Sequence, residues 1–290
     1  IIISDNNSKD NTQDVIREFE EYRKSFYKVI SKRNEQLISA QDNWINGIKE
    51  ASSEHILLMS DDDLINGNGI SDLINRVNIQ EFNLIIGGHY IINEKSKRLA
   101  KYSNYNKIIT KEELYRGLSL REIRHKLCSV IWRKDIILRS NLFNDKYPSS
   151  GVCLDGAIIT AAANAKICIS TNVISSYRIH YNNDCRSLNA SKFRNGRILL
   201  HKFGMNILAK DSYAKKWFII WNVYGGLPQG ILTALRLKNI NTMRLFINET
   251  IILQDILLIK PKINIKNLNI ADLILKLTYI FLTMIKRIFK

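Results

Sequence analysis

The chain has 290 residues, enough for two domains or for one large α/β domain with an appendage. Apolar residues make up 46% and charged residues 24%, while 13 Gly and 3 Pro exclude collagen-like, linker-like and proline-rich chains and argue against wholesale disorder. Lys and Arg outnumber Asp and Glu by 43 to 27, a net charge of +16, so a polyanion is expected among the partners: nucleic acid, anionic lipid or a phosphorylated metabolite.

The sequence opens on Ile1-Ile2-Ile3, a strand-like run with no basic segment ahead of it, and no signal peptide is expected. The polar cluster from Asp5 to Thr12 follows, then Val15, Ile16, Phe19 and Tyr22 at helical spacing. Phe26 to Ile30 reads as the next strand, and Trp44, Ile45, Ile48 and Ala51 give a second helical stripe. The apolar run Ile56 to Met59 then ends on Ser60-Asp61-Asp62-Asp63. Short apolar strands alternating with helices predict a mostly parallel, Rossmann-like α/β sheet, whose ligands bind beyond the carboxyl ends of the strands. Both acidic clusters fall at such ends. Further strands are expected at Asn83–Gly88, Cys128–Trp132, Ile167–Ile169 and Val173–Tyr177, with helices at 111–117 and Asp155–Asn164.

Near Phe203 the character changes to helical, basic and strongly apolar, so a domain boundary is expected between residues 202 and 203. Trp217 to Leu235 carries no charge, but Tyr224-Gly225-Gly226-Leu227-Pro228 interrupts it, which favours a broken helical hairpin over a membrane span. Asp272 to Lys290 predicts an amphipathic helix on an anionic membrane, with Lys276, Lys286, Arg287 and Lys290 facing the headgroups. A helix docked on the core is the alternative. Cys128, Cys153, Cys168 and Cys185 form no CxxC pair and have no His placed to complete a zinc knuckle, which predicts reduced core thiols. Cys153 lies beside Asp155 without a basic partner in sequence, so a thiolate nucleophile is not expected.

Three adjacent carboxylates at a strand end repel one another unless a cation or donors compensate them. Mg²⁺ or Mn²⁺ is the natural compensator, held by one or two carboxylates together with substrate phosphates; a solvated loop is the alternative. At the first acidic cluster, Asp5 and Asn6 stand too early to cap the helix, and an Asx turn competes with contact to a nucleobase edge.

These segments together resemble a family-2 glycosyltransferase with the GT-A fold. The resemblance is carried by Ile-Ile-Ser-Asp5-Asn-Asn-Ser8-Lys-Asp10-Asn-Thr12, by Asn43-Trp44 with Gly47 and Ala51, and by His55-Ile-Leu-Leu-Met-Ser-Asp61-Asp62-Asp63-Leu64. It continues in Gly151-Val-Cys-Leu-Asp155 before an Ala-rich helix and in Ser176-Tyr-Arg178-Ile-His180 up to Ser187. It covers residues 1 to about 190 and leaves the tail uncovered. The family normally begins with a further strand some 25–30 residues before Ile1, so the resemblance implies a domain lacking its first strand.

The resemblance implies that Asp5 and Asn6 hold the base of a nucleotide-sugar donor with Arg33 or Asn34 nearby and that Asp61 holds the ribose; Arg178 and Arg186 pair either with phosphate oxygens or with surface carboxylates. Asp62, Asp63 and His180 would hold the metal, with the register of the three Asp open by one position. Asp155 would be the general base of an inverting transfer to an acceptor hydroxyl. A UDP-sugar donor, a saccharide or lipid-linked saccharide acceptor, and bacterial surface polysaccharide synthesis (O-antigen or capsule) on the inner face of the cytoplasmic membrane complete the expectation. Two alternatives stand beside it. One is a non-catalytic remnant of the same fold. The other is a nucleic-acid-binding protein, disfavoured because the basic residues form no aromatic-interleaved stripe and no recognised binding motif is present.

Overall fold

The computed structural model describes residues 1–23, 28–139, 154–180, 190–208, 210–224, 240–257, 259 and 270–288. The first half places strands β1 (Ile2–Asp5), β2 (Ile30–Arg33), β3 (His55–Leu57), β4 (Leu64–Ile65), β5 (Leu84–Ile92), β6 (Arg98–Tyr102), β7 (Lys107–Ile109) and β8 (Val130–Arg133) among helices α1 (Thr12–Arg23), α2 (Ala40–Glu50), α3 (Gly67–Arg76), α4 (Lys111–Leu120) and α5 (Lys134–Arg139). Then come α6 (Leu154–Ala162), the long strand β9 (Ile167–Arg178), and helices α7 (Ala190–Ile207), α8 (Ser212–Ile219), α9 (Ile240–Ile256) and α10 (Ile270–Ile288). A π-helical turn, Ile220–Tyr224, continues α8.

The α/β class expected from the alternating pattern is observed, but the sheet is mixed and not mostly parallel. β1 and β2 form a parallel pair of their own. The larger sheet runs β3-β8-β5-β9-β4, with β6 on β5 and β7 on β9, and among the described residues only β5 and β9 pair in parallel within it. Hydropathy marks how deeply a strand is buried, not its direction. Leu84, Ile85, Ile86, Ile167 and Ile169 are each fully buried, so a central antiparallel neighbour reads the same as a parallel one. The two strand segments expected at Ile167–Ile169 and Val173–Tyr177 are one strand, β9, with register shifts against β5 at Ile86, Gly88 and His89. The expected strand at Phe26–Ile30 begins only at Ile30, and Phe26 and Tyr27 lie outside the described residues.

Helix starts follow their caps: Ser39 accepts from the Asp42 N–H, Asn66 from that of Gly69, and Thr110 and Glu113 form a reciprocal capping box. Helix α3 lies so close to β9 that a Cβ on Gly69 would come within 1.9 Å of the Val173 carbonyl oxygen. The boundary expected between residues 202 and 203 falls inside α7. One apolar cluster joins sheet residues Leu84, Ile86 and Trp132 to Trp217 and Phe218 of α8 and to Leu275 and Leu282 of α10. The compositional change marks a shift from sheet to helix within one core. Helix α10 buries Ala271, Leu275 and Leu282 and pairs Asp272 with Lys216 at 2.8 Å, while Ile270, Leu273, Leu277, Ile280, Phe281 and Met284 are exposed. No helix among the described residues is long and apolar enough to cross a membrane. Cys128 and Cys168 are buried free thiols, as expected; Cys153 and Cys185 lie outside the described residues.

Candidate active site

At the end of β1, Asp5 is 6% exposed. Burial pushes its pKa up. The Ser8 hydroxyl (2.5 Å) and N–H (3.1 Å), the Gln13 amide (2.7 Å) and the nearby Arg33 guanidinium outweigh burial and hold it below the usual carboxylate value. Arg33 also donates to the Ser8 carbonyl at 2.6 Å, and Asn7 turns the chain at φ 61°. Asn6 accepts from the Ile38 N–H (3.0 Å) and from Asn34 (3.1 Å) and donates to the Ile38 carbonyl (2.8 Å). Asn34 spends its other amide proton on Asn43, which also accepts from Ser4. The four residues expected to meet the base are therefore brought together, at the ends of β1 and β2. Their polar atoms brace the 5–8 and 34–38 loops at the carboxyl ends of the two strands.

The acidic triplet follows β3. The two-residue strand β4 pairs Leu64 with Ser176 and Ile65 with Ser175, and so fixes Asp61–Asp63 against the carboxyl end of β9. His180 Nε2 lies 2.9 Å from Asp62 Oδ2 across 118 positions of sequence. Asp63 Oδ1 accepts from the Arg178 N–H at 2.9 Å, and the Cys128 thiol donates to the same carboxyl; burial still pushes the Asp63 pKa up. Asp61 is exposed at the rim. The Arg178 guanidinium, expected to meet phosphate, is engaged with backbone through two of its nitrogens. Its Nε donates to the Asp62 carbonyl (2.7 Å) and its Nη1 to the Asn93 and Glu94 carbonyls and to the Ser96 hydroxyl, each at 3.0 Å. It fastens the triplet to the β5–β6 turn. Arg186 lies outside the described residues.

Among the described residues no group of three His, Cys, Asp or Glu is gathered as a metal cage. The donor set nevertheless fits a hard divalent cation: one carboxylate and one imidazole, partly exposed at 27% and 24%, leave most coordination positions to diphosphate oxygens and water.

Asp155 lies in the first turn of α6, where the helix dipole favours a carboxylate. Its side chain is 43% exposed, and its Oδ1 accepts from the Gly156 N–H at 2.8 Å. Withdrawal from bulk water pushes its pKa up, but His125, whose Nε2 is 3.6 Å from Oδ2, the Gly156 N–H and the Lys126 charge hold it below the usual carboxylate range. Lys126 sits over the Tyr177 ring at 4.2 Å and lowers the pKa of Asp63 as well as that of Asp155, so one ammonium serves both acidic groups. Sequence reasoning missed His125, Lys126 and Cys128 as site residues. The signal was the run Arg124-His125-Lys126 directly ahead of a buried strand.

Residues 1–140 match glycosyl transferase family 2. None of the curated proteins matches this sequence. Among solved structures the fold is similar to that of S. aureus TarS 1–349 in complex with UDP-GlcNAc, with TM-score 0.62 and 13% identity over 88% of this chain and 73% of that one. TarS 1–349 alone gives TM-score 0.60 at 12% identity (87% and 70% covered), and its complex with UDP gives 0.56 at 13% (87% and 73% covered). At such identities the likeness speaks for the fold, and the family match speaks for the chemistry. Residues 1–140, just under half of the chain, therefore match glycosyl transferase family 2, and the fold as a whole is of the GT-A class.

Proposed function

We propose that the protein transfers a sugar from a nucleoside-diphosphate sugar to an acceptor hydroxyl with inversion, assisted by Mg²⁺ or Mn²⁺. The observation that carries this reading is the meeting of Asp62 and His180, 2.9 Å apart, with Asp63 beside them at the mouth of the sheet. Asp62 and His180 would hold the cation, with Asp63 as neighbour or co-ligand. When bound, the cation supplies Lewis-acid stabilisation of the diphosphate leaving group.

The remaining work falls to this chain. The β1–β2 loops frame the base and Asp61 reaches the ribose. Asp155 takes the proton of the acceptor hydroxyl as the acceptor oxygen forms its bond to the anomeric carbon. The bond from that carbon to the diphosphate oxygen breaks, and its electron pair leaves with the nucleoside diphosphate. Such base assistance is worth ~10²–10⁴-fold. A UDP-sugar is the favoured donor, since similar solved structures hold UDP-GlcNAc and UDP. The acceptor in this reading is a saccharide or a lipid-linked saccharide of bacterial surface polysaccharide synthesis. The exposed apolar face of α10, with Lys276 on the same helix, rests on the inner, anionic membrane surface.

The test is release of nucleoside diphosphate from UDP-, CDP-, GDP- and dTDP-sugars in the presence of Mn²⁺, with water as a slow acceptor. Release from one donor class that stops in EDTA supports the reading, and release that ignores EDTA removes the metal from it. Co-sedimentation with phosphatidylglycerol vesicles, lost in Leu277→Asp/Phe281→Asp, tests the membrane contact.

A further inference from the structure

We propose that His125 is a positioning residue for Asp155: it sets the orientation and proton affinity of that carboxylate, and it is held in place by Trp221 from the π-helical turn. The proposal rests on the reading of Asp155 as general base.

The geometry is built from three separate pieces of chain. His125 stands in the loop between α4 and the strand β8, a loop that begins with Arg121 in the left-handed conformation at φ 62°. The imidazole Nε2 lies 3.6 Å from Asp155 Oδ2, long for a hydrogen bond and close enough for charge pairing; such contacts tighten when substrate closes a site. The other side of the ring meets Trp221 edge-on, with centroids 6.3 Å apart. Trp221 is carried by the π-helical turn Ile220–Tyr224, a rare conformation that in proteins concentrates at functional sites. The indole also packs against Tyr115 and Phe218, and it lies directly over Gly156, where a Cβ would stand 3.0 Å from the ring. The glycine beside the base thus admits the tryptophan that braces the histidine. The half-buried His125 side chain is 14% exposed, against 43% for Asp155, so the imidazole is the more shielded of the two while the carboxylate stays open to an acceptor. The further charged or titratable groups around the pair are Lys126 and Arg124 on the same loop and His89 of β5.

The pair predicts a function that packing alone does not. With the imidazole at Oδ2 and the Gly156 N–H on Oδ1, the carboxylate is fixed in one orientation, each oxygen keeps a further lone pair for an incoming proton, and the imidazole keeps the group ionised at lower pH.

The experiment uses the full chain with His125→Ala, His125→Gln and Asp155→Asn. The ¹³C-carboxyl resonance of Asp155, assigned by its loss in Asp155→Asn, is followed against pH without any substrate. The titration midpoint should move to higher pH in His125→Ala and by less in His125→Gln, which keeps an N–H donor. Turnover of UDP-GlcNAc with Mn²⁺ should fall about tenfold or more in kcat in His125→Ala with UDP affinity unchanged, and recover in part in His125→Gln. An unmoved midpoint in both variants overturns the proposal. So does a parallel loss of UDP affinity and melting temperature, which marks His125 as merely structural. Asp155→Asn separates the two readings: full turnover in that variant refutes the base assignment, while the carboxyl titration decides the His125 pairing on its own.

Discussion

Replacing Arg178 by methionine removes the donors that fasten the acidic triplet while keeping most of the side chain's apolar stem. Two of the lost hydrogen bonds, to the carbonyls of Asp62 at 2.7 Å and Asn93 at 3.0 Å, are partly buried; those to Glu94 and Ser96 are exposed and contribute little. At ~1.5 kcal/mol for each partly buried bond to a charged donor, the loss is about 3 kcal/mol. For a chain of this size that corresponds to a fall of roughly 6–12 °C in melting temperature. The triplet would lose its register against β9, so Mn²⁺-dependent UDP affinity should fall in the same variant. Differential scanning calorimetry and titration calorimetry read the two effects. An Arg178→Met protein that melts like wild type and loses only nucleotide affinity would refute the bracing role and restore Arg178 as a phosphate-binding residue.

Four further outcomes follow from the same geometry. Asp155→Asn should keep UDP binding and lose turnover by ~10²–10⁴-fold, read by nucleoside diphosphate release. Gly69→Ala drives a methyl into the Val173 carbonyl and should cost ~2–3 kcal/mol, read as a lowered denaturation midpoint, because backbone cannot yield as a side chain tip can. Because the pKa of Asp5 is depressed in the folded state, its stabilising contribution is complete above its ordinary value of 3.8 and disappears as pH falls through the lower folded value; Asp5→Asn should flatten that part of the acid-stability curve. Asn43→Ala removes the amide shared by Ser4 and Asn34 and should loosen the base-framing loops, lowering UDP affinity several-fold with little change in metal dependence.

The acidic clusters were legible because adjacent carboxylates need compensating partners and stand out at the end of an apolar strand. His180 was legible only through the element around it, and its partner Asp62 lies 118 positions away. Strand direction was not legible, since Leu84–Ile86 and Ile167–Ile169 are apolar throughout and mark depth, not polarity. Nor were the partners of Asn6, Asn34 and Arg178, which exist only once β1 lies beside β2 and β4 beside β9. Asp5 carried a local hint, since Ser8 three residues on is the spacing of an Asx turn. His125 was hidden for a different reason: nothing in the order of residues links the loop after α4 to the first turn of α6, and the link is made through the packed core that both share.

Titration calorimetry of UDP into the protein, with and without Mn²⁺, for wild type and Asp62→Asn, tests the central claim most directly. The account predicts UDP binding in wild type that is strengthened at least tenfold by Mn²⁺, and an Asp62→Asn protein of unchanged melting temperature in which that strengthening is gone. Equal Mn²⁺-dependent binding in both proteins would contradict it.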